Sequence, residues 1–312
     1  MCLTDDCGEV SEGRRSFLGG ALRTLAASAL ASRVLGRQQQ PPPKPAEPLE
    51  PLALGDPNIV QGDVTFRSGG AEIRGHLARP KAPGRHPAVV VLWPNPGVTD
   101  DPRNTAAQLA QGGFVGLAFD AYSRDPGLTA NQARARFEYF GGKEFDELQR
   151  RDAAAAVAYL RRQPFCERGP VGLVGFCGSA RQALVYSTTA PAEVAAVVAF
   201  YGPPVLGASY QSPRGAFKLD IMHVLDRIRV PVQCHYGTAD PVIPLADVDR
   251  LERDLKAQGT PSEVFRYEGA AHAFYDFTRP RFDPAAAKLA HARMIQFLRK
   301  HLRRGEAAGG AG

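Results

Sequence analysis

The segment that most constrains the fold of this chain runs from Val171 to Ala180 and reads VGLVGFCGSA. Its first part is a short apolar run, which is typical of a buried strand, and its last residues begin a helix. Small residues surround Cys177, as is required where a strand and a helix meet at a sharp, strained turn. We therefore expect Cys177 to lie at the end of a strand and at the amino end of a helix.

A cysteine in this position is a candidate nucleophile, because the helix dipole and the free N–H groups favour the thiolate over the thiol. The structural alternative is that Cys177 is only a small buried residue. Ser179 is a rival nucleophile, but a turn centred on it would place Arg181 where a small residue is needed. The pattern favours Cys177 over Ser179.

Short apolar runs alternate with amphipathic stretches along the rest of the chain. The predicted strands span residues 64–67, 72–78, 88–93, 114–119, 171–174, 195–201, 232–236 and 263–267. The predicted helices span residues 105–111, 145–162, 180–189, 246–258 and 284–302. This alternation predicts an α/β fold, with a mostly parallel, doubly wound sheet of about eight strands and helices on both faces. One domain is predicted over residues 58–303, after a Pro/Gln-rich linker (38–57) and before a disordered tail (304–312).

Two further residues lie where they could assist a nucleophile. His272 is in a loop of small residues after the last predicted strand, and Asp240 directly follows the penultimate strand. Taken singly, His272 could be a surface histidine, and Asp240 could be a turn residue before Pro241. Together with Cys177 they follow the chain order nucleophile, acid, histidine, each just past a strand, which indicates a base and its orienting acid.

The other histidines of the domain do not suggest a site. They are interpreted as structural or surface residues: His76 and His86 beside early strands, His235 within a strand, and His291 and His301 on the last helix. No group of residues has the spacing of metal ligands, so the sequence predicts no metal and no cofactor.

The amino terminus has the pattern of an export signal. Residues 13–18 read GRRSFL, and a weakly apolar, alanine-rich stretch follows them. This resembles a twin-arginine leader, predicted over residues 1–37, and implies a periplasmic or extracellular protein. Arg23 and Arg33 interrupt the apolar stretch, so no membrane span is predicted. The alternative is a disordered basic leader on a cytoplasmic protein.

Charge and cysteine content limit the function further. Much of the formal net charge of +6 is concentrated near the two ends of the chain, and no RNA- or DNA-binding motif is visible, so no nucleic-acid partner is predicted. Beyond the leader only three cysteines remain, Cys166, Cys177 and Cys234. Because three is an odd number, at least one thiol should be unpaired unless chains cross-link.

At this point the chain resembles the dienelactone hydrolase family over residues 58–302. The segments that carry the resemblance are residues 175–179, 237–240, 269–274 and 279–283. The resemblance implies an α/β-hydrolase fold in which Cys177 attacks an ester or lactone carbonyl, and water then hydrolyses the acyl-thioester. It also implies that the oxyanion binds the backbone N–H groups of Gly178 and Asn95.

Three positions depart from the family pattern. Pro94 stands where the family has a glutamate that contacts the resting thiol, so we hypothesise a standing thiolate–imidazolium pair. Arg124 matches the first of two arginines that bind the substrate carboxylate, but Asp276 occupies the place of the second and opposes an anion. Ser179 replaces a second glycine after the cysteine. The resemblance therefore does not assign dienelactone itself as the substrate.

The sequence thus predicts a hydrolase that cleaves a small carboxylic ester, lactone or thioester through a cysteine acyl-enzyme, as a monomer or small homo-oligomer. Two other functions stay open. A catalytically silent member could bind a small ligand or a protein, and a reactive Cys177 could act as a redox sensor.

Overall fold

The computed structural model describes residues 53–125, 127–129, 132, 143–204, 211–212, 215–216 and 225–302. The predicted leader, the predicted tail and residues 38–52 of the predicted linker lie outside the described residues. Within the described residues, Ala53 is already buried, and its N–H donates a hydrogen bond to Oδ1 of Asn104 at 2.8 Å.

Eight strands form one sheet within the part of the chain that the structure describes. They are β1 (Ile59–Ser68), β2 (Ala71–Pro80), β3 (Ala88–Leu92), β4 (Val115–Phe119), β5 (Val171–Phe176), β6 (Val194–Phe200), β9 (Val232–Gly237) and β10 (Ser262–Tyr267). Their order is β1-β2-β4-β3-β5-β6-β9-β10. β1 and β2 pair antiparallel, β2 is antiparallel to β4, and the remaining neighbours are parallel. The predicted mostly parallel sheet is confirmed.

A separate hairpin, which the sequence did not predict, pairs β7 (Gln211–Ser212) with β8 (Gly215–Ala216). The described helices are α1 (Asp100–Gln111), α2 (Lys143–Arg161), α3 (Gly178–Thr189), α4 (Leu245–Ala257) and α5 (Pro284–Leu302). Four of them lie within two residues of the prediction, but α1 begins five residues earlier than predicted. Pro102 did not prevent this, since proline is tolerated in the first turn of a helix.

The centre of the sheet is buried throughout. Every residue of β3, β4 and β5 is buried, as expected for parallel strands covered on both faces. The rings of Phe176 and Phe200, at the ends of β5 and β6, stack with their centroids 4.9 Å apart. Since parallel strands end on the same side, the loops that follow β3, β5, β6, β9 and β10 meet at one edge of the sheet.

Candidate active site

Cys177 occupies a sharp turn between β5 and α3. Its backbone has φ 49° and ψ −127°, a conformation that is unfavourable for a side chain with a Cβ. Its N–H donates a hydrogen bond to the carbonyl oxygen of Phe200 at 2.9 Å, which holds the turn against β6. A Cβ added to Gly175 would lie 2.6 Å from Cα of Ala180, so strand and helix approach too closely for a side chain there. The predicted strand–turn–helix is confirmed.

Cys177, His272 and Asp240 form one hydrogen-bonded chain. Nε2 of His272 lies 3.2 Å from Sγ of Cys177, and Nδ1 lies 2.8 Å from Oδ2 of Asp240. The Asp240 side chain is 1% exposed, and its Oδ1 accepts the N–H groups of Val242 at 2.7 Å and Ile243 at 3.1 Å. The three residues that the sequence pointed to are therefore brought together, with the carboxylate fixed on one side of the imidazole and the sulfur on the other.

The loop from residue 268 to 283, called here the histidine loop, is held against the Asp240 turn by small residues. A Cβ on Gly237 would collide with the carbonyl of Ala270, so glycine is needed where the two segments touch. The N–H of Ala239 donates to the carbonyl of Ala270 at 3.0 Å, and Gly269 has φ 73°. These contacts explain why the small-residue pattern around His272 places its ring over the sheet edge.

The charges of the site favour a thiolate and an imidazolium. Burial raises the pKa of the Cys177 thiol, but the hydrogen bond and charge of His272 and the N–H of Gly178 outweigh burial, so that pKa lies below its ordinary value. Burial alone would lower the pKa of His272, but its hydrogen bonds to Asp240 and Cys177 raise it to about 10. Both shifts favour the thiolate–imidazolium pair over the neutral thiol and imidazole.

Of the two predicted oxyanion donors, Gly178 contacts this sulfur directly. Gly178 is the first residue of α3, and its N–H interacts with the Cys177 sulfur. Asn95 lies in the loop of residues 93–99 after β3, called here the oxyanion loop. Oδ1 of Asp120 accepts the N–H of Gly97 in this loop at 3.0 Å, which stiffens it. Their role in binding an oxyanion stays a prediction.

Arg124 is paired with other groups in the structure, and Ser179 is buried. Both terminal nitrogens of Arg124 donate to Asp152, each at 2.7 Å, and Nη2 also donates to the carbonyl of Ser68 at 3.1 Å. The charge of Arg124 is thus balanced by a buried carboxylate, and its role in binding substrate stays a prediction. Ser179 is buried within α3, whereas the hydrogen bond from His272 is to Cys177.

Tyr201 is a residue of this site that the sequence analysis missed. It directly follows β6, has φ 38°, and its ring centroid lies 5.1 Å from that of His272. Its hydroxyl is buried, with no hydrogen-bond partner among the described residues. Tyr201 was counted as the last residue of a strand. The signal available was its position at the carboxyl end of that strand, just before Gly202, on the edge where the other site residues gather.

The other two thiols of the described residues, Cys166 and Cys234, are buried. Cys166, Cys177 and Cys234 are free, which confirms the expectation of an unpaired thiol. Burial raises the pKa of both Cys166 and Cys234 to about 12. Within the described ranges, no three His, Cys, Asp or Glu residues cluster as a metal site, and no helix has the length and apolar character needed to cross a bilayer.

Comparison with known proteins identifies the family. The sequence pattern of the dienelactone hydrolase family matches residues 73–302. A carboxymethylenebutenolidase of Pseudomonas sp. is 30% identical over 249 residues, covering 78% of this chain and 96% of the relative. The crystal structure of a dienelactone hydrolase from Anabaena variabilis has a TM-score of 0.58 at 20% identity, covering 79% of this chain and 100% of that one. The structure of a dienelactone hydrolase-like promiscuous phosphotriesterase from metagenomic libraries has a TM-score of 0.64 at 22% identity, covering 78% and 99%.

These two structures show the fold, and the matched segment contains the strands and turns that carry Cys177, Asp240 and His272. This chain therefore belongs to the dienelactone hydrolase family and is a hydrolase with the α/β-hydrolase fold.

Proposed function

We propose that this protein hydrolyses a small carboxylic ester, lactone or thioester, with Cys177 as nucleophile, His272 as acid and base, and Asp240 orienting His272. The observation that carries the proposal is a hydrogen-bonded chain at the carboxyl edge of the sheet. Sγ of Cys177 lies 3.2 Å from Nε2 of His272, and Nδ1 of His272 lies 2.8 Å from Oδ2 of Asp240. A nucleophile, a base within reach of it and a third group that orients the base together constitute the signature of covalent catalysis.

Acylation starts from the ion pair. The thiolate of Cys177 attacks the carbonyl carbon, and the carbonyl oxygen becomes an oxyanion beside the N–H groups proposed for it, those of Gly178 and Asn95. When the tetrahedral intermediate collapses, the carbon–oxygen bond to the leaving group breaks. His272 gives its Nε2 proton to the departing oxygen, which leaves a thioester and a neutral imidazole.

Deacylation reverses the roles. Neutral His272 takes a proton from water as the water oxygen attacks the thioester carbonyl, and collapse expels the thiolate of Cys177. The product leaves as a carboxylic acid, and the thiolate–imidazolium pair is restored. The two oxygens of Asp240 keep their three N–H donors throughout, and Asp240 stabilises the positive charge on His272.

Within the class of esters and lactones, the surroundings of the site support a substrate that does not depend on Arg124 for an anionic group. Arg124 is bound by Asp152 on both terminal nitrogens, and Asp276 lies on the histidine loop. The relatives are named for dienelactone-type substrates, which supports a lactone or ester as the substrate class of this protein. These names do not identify the compound.

The test is hydrolysis of p-nitrophenyl acetate and simple lactones by the reduced protein and by its Cys177→Ala and Ser179→Ala variants. We expect activity to be lost in Cys177→Ala alone, and mass spectrometry of the quenched reaction to find the acyl group on the peptide that contains Cys177. Activity that survives in Cys177→Ala would contradict the proposed nucleophile. An intact, reduced protein without activity would favour a binding or redox function.

We also propose that residues 1–37 export the protein through a twin-arginine pathway. Paired arginines ahead of a weakly apolar stretch support this. Replacing Arg14 and Arg15 together with lysine should retain the protein in the cytoplasm, whereas an unchanged distribution would contradict the proposal.

A further inference from the structure

Two buried carboxyl groups lie against each other beside the site just described. Asp101, in the first turn of α1, is 2% exposed, and Asp276, on the histidine loop, is 3% exposed. The N–H of Phe277, the residue after Asp276, donates to Oδ1 of Asp101 at 3.3 Å and brings the two carboxyl groups close together. Two buried carboxylates so placed would repel each other, so a proton kept by one of them stabilises the arrangement.

The surrounding donors indicate which group holds the proton. Asp276 accepts from the N–H and hydroxyl of Thr278 and, at 3.1 Å, from Nε of Arg279. Asp101 accepts only the N–H of Phe277, at 3.3 Å on Oδ1, and its Oδ2 has no other donor among the described residues. Burial and the charge of Asp276 raise the pKa of Asp101 well above its ordinary value. Asp101 is therefore the protonated partner.

The buried hydroxyl of Tyr201 interacts electrostatically with the same two carboxyl groups. Tyr201 is 2% exposed, and the charges that act most strongly on its hydroxyl are those of Asp101 and Asp276, followed by Cys177. The cation facing the pair is Arg279, which is half exposed, and Tyr275 faces it from the histidine loop.

We infer that Asp101 and Asp276 share one proton and thereby hold the oxyanion loop, through the first turn of α1, against the loop that carries His272. The two aspartates are positioning residues: they do not touch the reacting atoms, but they fix the distance between the Asn95 N–H and the Cys177–His272 pair. This inference rests on the proposed function for its effect on hydrolysis. The shared proton itself does not depend on that function.

The pair also gives the protein a defined response to pH. The folded protein binds a proton at Asp101 that the unfolded chain releases near the ordinary value of 3.8, so its stability decreases as pH rises from there to the raised pKa. Above that pKa two carboxylates face each other and repel, and the two loops separate. Asp101→Asn keeps a donor at this position at every pH, because its amide N–H₂ can bind the Asp276 carboxylate.

The experiment compares wild type, Asp101→Asn, Asp101→Ala and, as matched control, Asp100→Asn, which changes an exposed carboxylate in the same helical turn. Two rates are measured on each protein: hydrolysis of p-nitrophenyl acetate, which needs an oxyanion site, and alkylation of Cys177 by iodoacetamide, which does not. For Asp101→Ala we expect kcat/KM to decrease about tenfold, because a misplaced oxyanion donor keeps only part of its stabilisation of the transition state. The alkylation rate should change less than about twofold, because alkylation does not use the oxyanion donor. Asp101→Asn and Asp100→Asn should both hydrolyse the ester at close to the wild-type rate at neutral pH.

Urea unfolding of the same proteins between pH 5 and 9 provides a readout that does not need activity. Wild type and Asp100→Asn should lose stability with rising pH relative to Asp101→Asn, which lacks the titrating proton. Equal pH dependence in all three would overturn the shared proton, and equal losses of hydrolysis and alkylation in Asp101→Ala, or no loss of either, would overturn the positioning role. If Cys177→Ala still hydrolyses the ester, the proposed function fails, but the stability comparison still decides whether the proton is shared.

Discussion

The cysteine and histidine at the sheet edge differ in charge state from a cysteine and a histidine that are adjacent in sequence inside β9. At the sheet edge, Cys177 has a lowered pKa and His272 has a pKa raised to about 10. Inside β9, Cys234 has a pKa raised to about 12 and His235 has a pKa lowered to about 3. The residue types are the same, yet the two residues at the sheet edge favour their charged forms, whereas the two residues inside β9 favour their neutral forms.

The difference comes from the partners. His235 is fully buried, bonded at Nδ1 to the Tyr267 hydroxyl (2.7 Å) and at Nε2 to Oε1 of Gln233 (2.9 Å), which are both neutral groups. His272 has the buried carboxylate of Asp240 on one nitrogen and the sulfur on the other. Burial penalises a lone charge, whereas a charge that is paired and hydrogen-bonded can persist. A candidate nucleophile in this fold is therefore recognised by the chain of partners behind it.

The largest effect on hydrolysis should come from replacing His272, with the replacement of His235 as the comparison. His272→Asn removes the base and the counter-ion of the thiolate, so we expect kcat/KM for p-nitrophenyl acetate to decrease about 10³-fold. His235→Asn should leave kcat/KM within about threefold of wild type and lower the free energy of unfolding by about 2 kcal/mol, because its buried partners lose a hydrogen bond. Steady-state kinetics and urea unfolding check both results. Similar activity losses in the two variants would remove the distinction between the sites.

Alkylation should separate the two thiols. At pH 7 the thiolate fraction of a thiol with a pKa of about 12 is about 10⁻⁵, so Cys177 should react with iodoacetamide more than about 100-fold faster than Cys234. Peptide mapping by mass spectrometry follows each cysteine separately. The rate for Cys177 should increase with pH to a plateau reached below the ordinary thiol range. A midpoint at or above that of a free cysteine would contradict the standing ion pair.

The same ionisations determine the pH range of hydrolysis. The active form has the thiolate and the imidazolium, so kcat/KM should increase as pH rises through the lowered pKa of Cys177 and decrease as His272 loses its proton near pH 10. An activity that still increases beyond that pH, after correction for the uncatalysed reaction, would show that neutral His272 is the competent form.

Asp240 should have a smaller effect than His272. Asp240→Asn keeps the shape of the side chain but removes the negative charge that stabilises the imidazolium, so we expect kcat to decrease about 10- to 100-fold and the alkylation midpoint of Cys177 to rise. Asp283→Asn is the matched control, since Asp283 also accepts two backbone N–H groups, those of Ala285 and Ala286, far from the sulfur in sequence. The control should retain activity. A loss of activity in Asp283→Asn equal to that in Asp240→Asn would indicate a structural rather than an electrostatic role.

The smallest effect should come from Cys234→Ala. Cys234 is 0% exposed in the middle of β9, and removing its sulfur leaves a small cavity that should cost about 1 kcal/mol of unfolding free energy. Hydrolysis and the alkylation of Cys177 should stay at wild-type rates. A change in either rate would mean that the interior thiol influences the edge site.

Much of the fold could be predicted from local pattern. The apolar runs of β3, β4 and β5 and the amphipathic period of α4 and α5 are local properties, and the structure confirms the elements they predicted, with ends shifted by a residue or two. The exceptions were β1 and α1, which each begin five residues earlier than predicted, and the added first turn of α1 contains Asp101. The hairpin β7–β8 is too short to give a periodic signal.

For the site, the sequence by itself determined which residues could act. Small residues around Cys177, Asp240 and His272, each just past a strand, follow from the steric needs of sharp turns, and these needs are local. Only the tertiary structure decided which other charges face one another: Asp152 on Arg124, and Asp101 beside Asp276. Such pairs join segments distant in sequence, and a charge depends on burial and on neighbouring groups in space, neither of which can be read along a single chain.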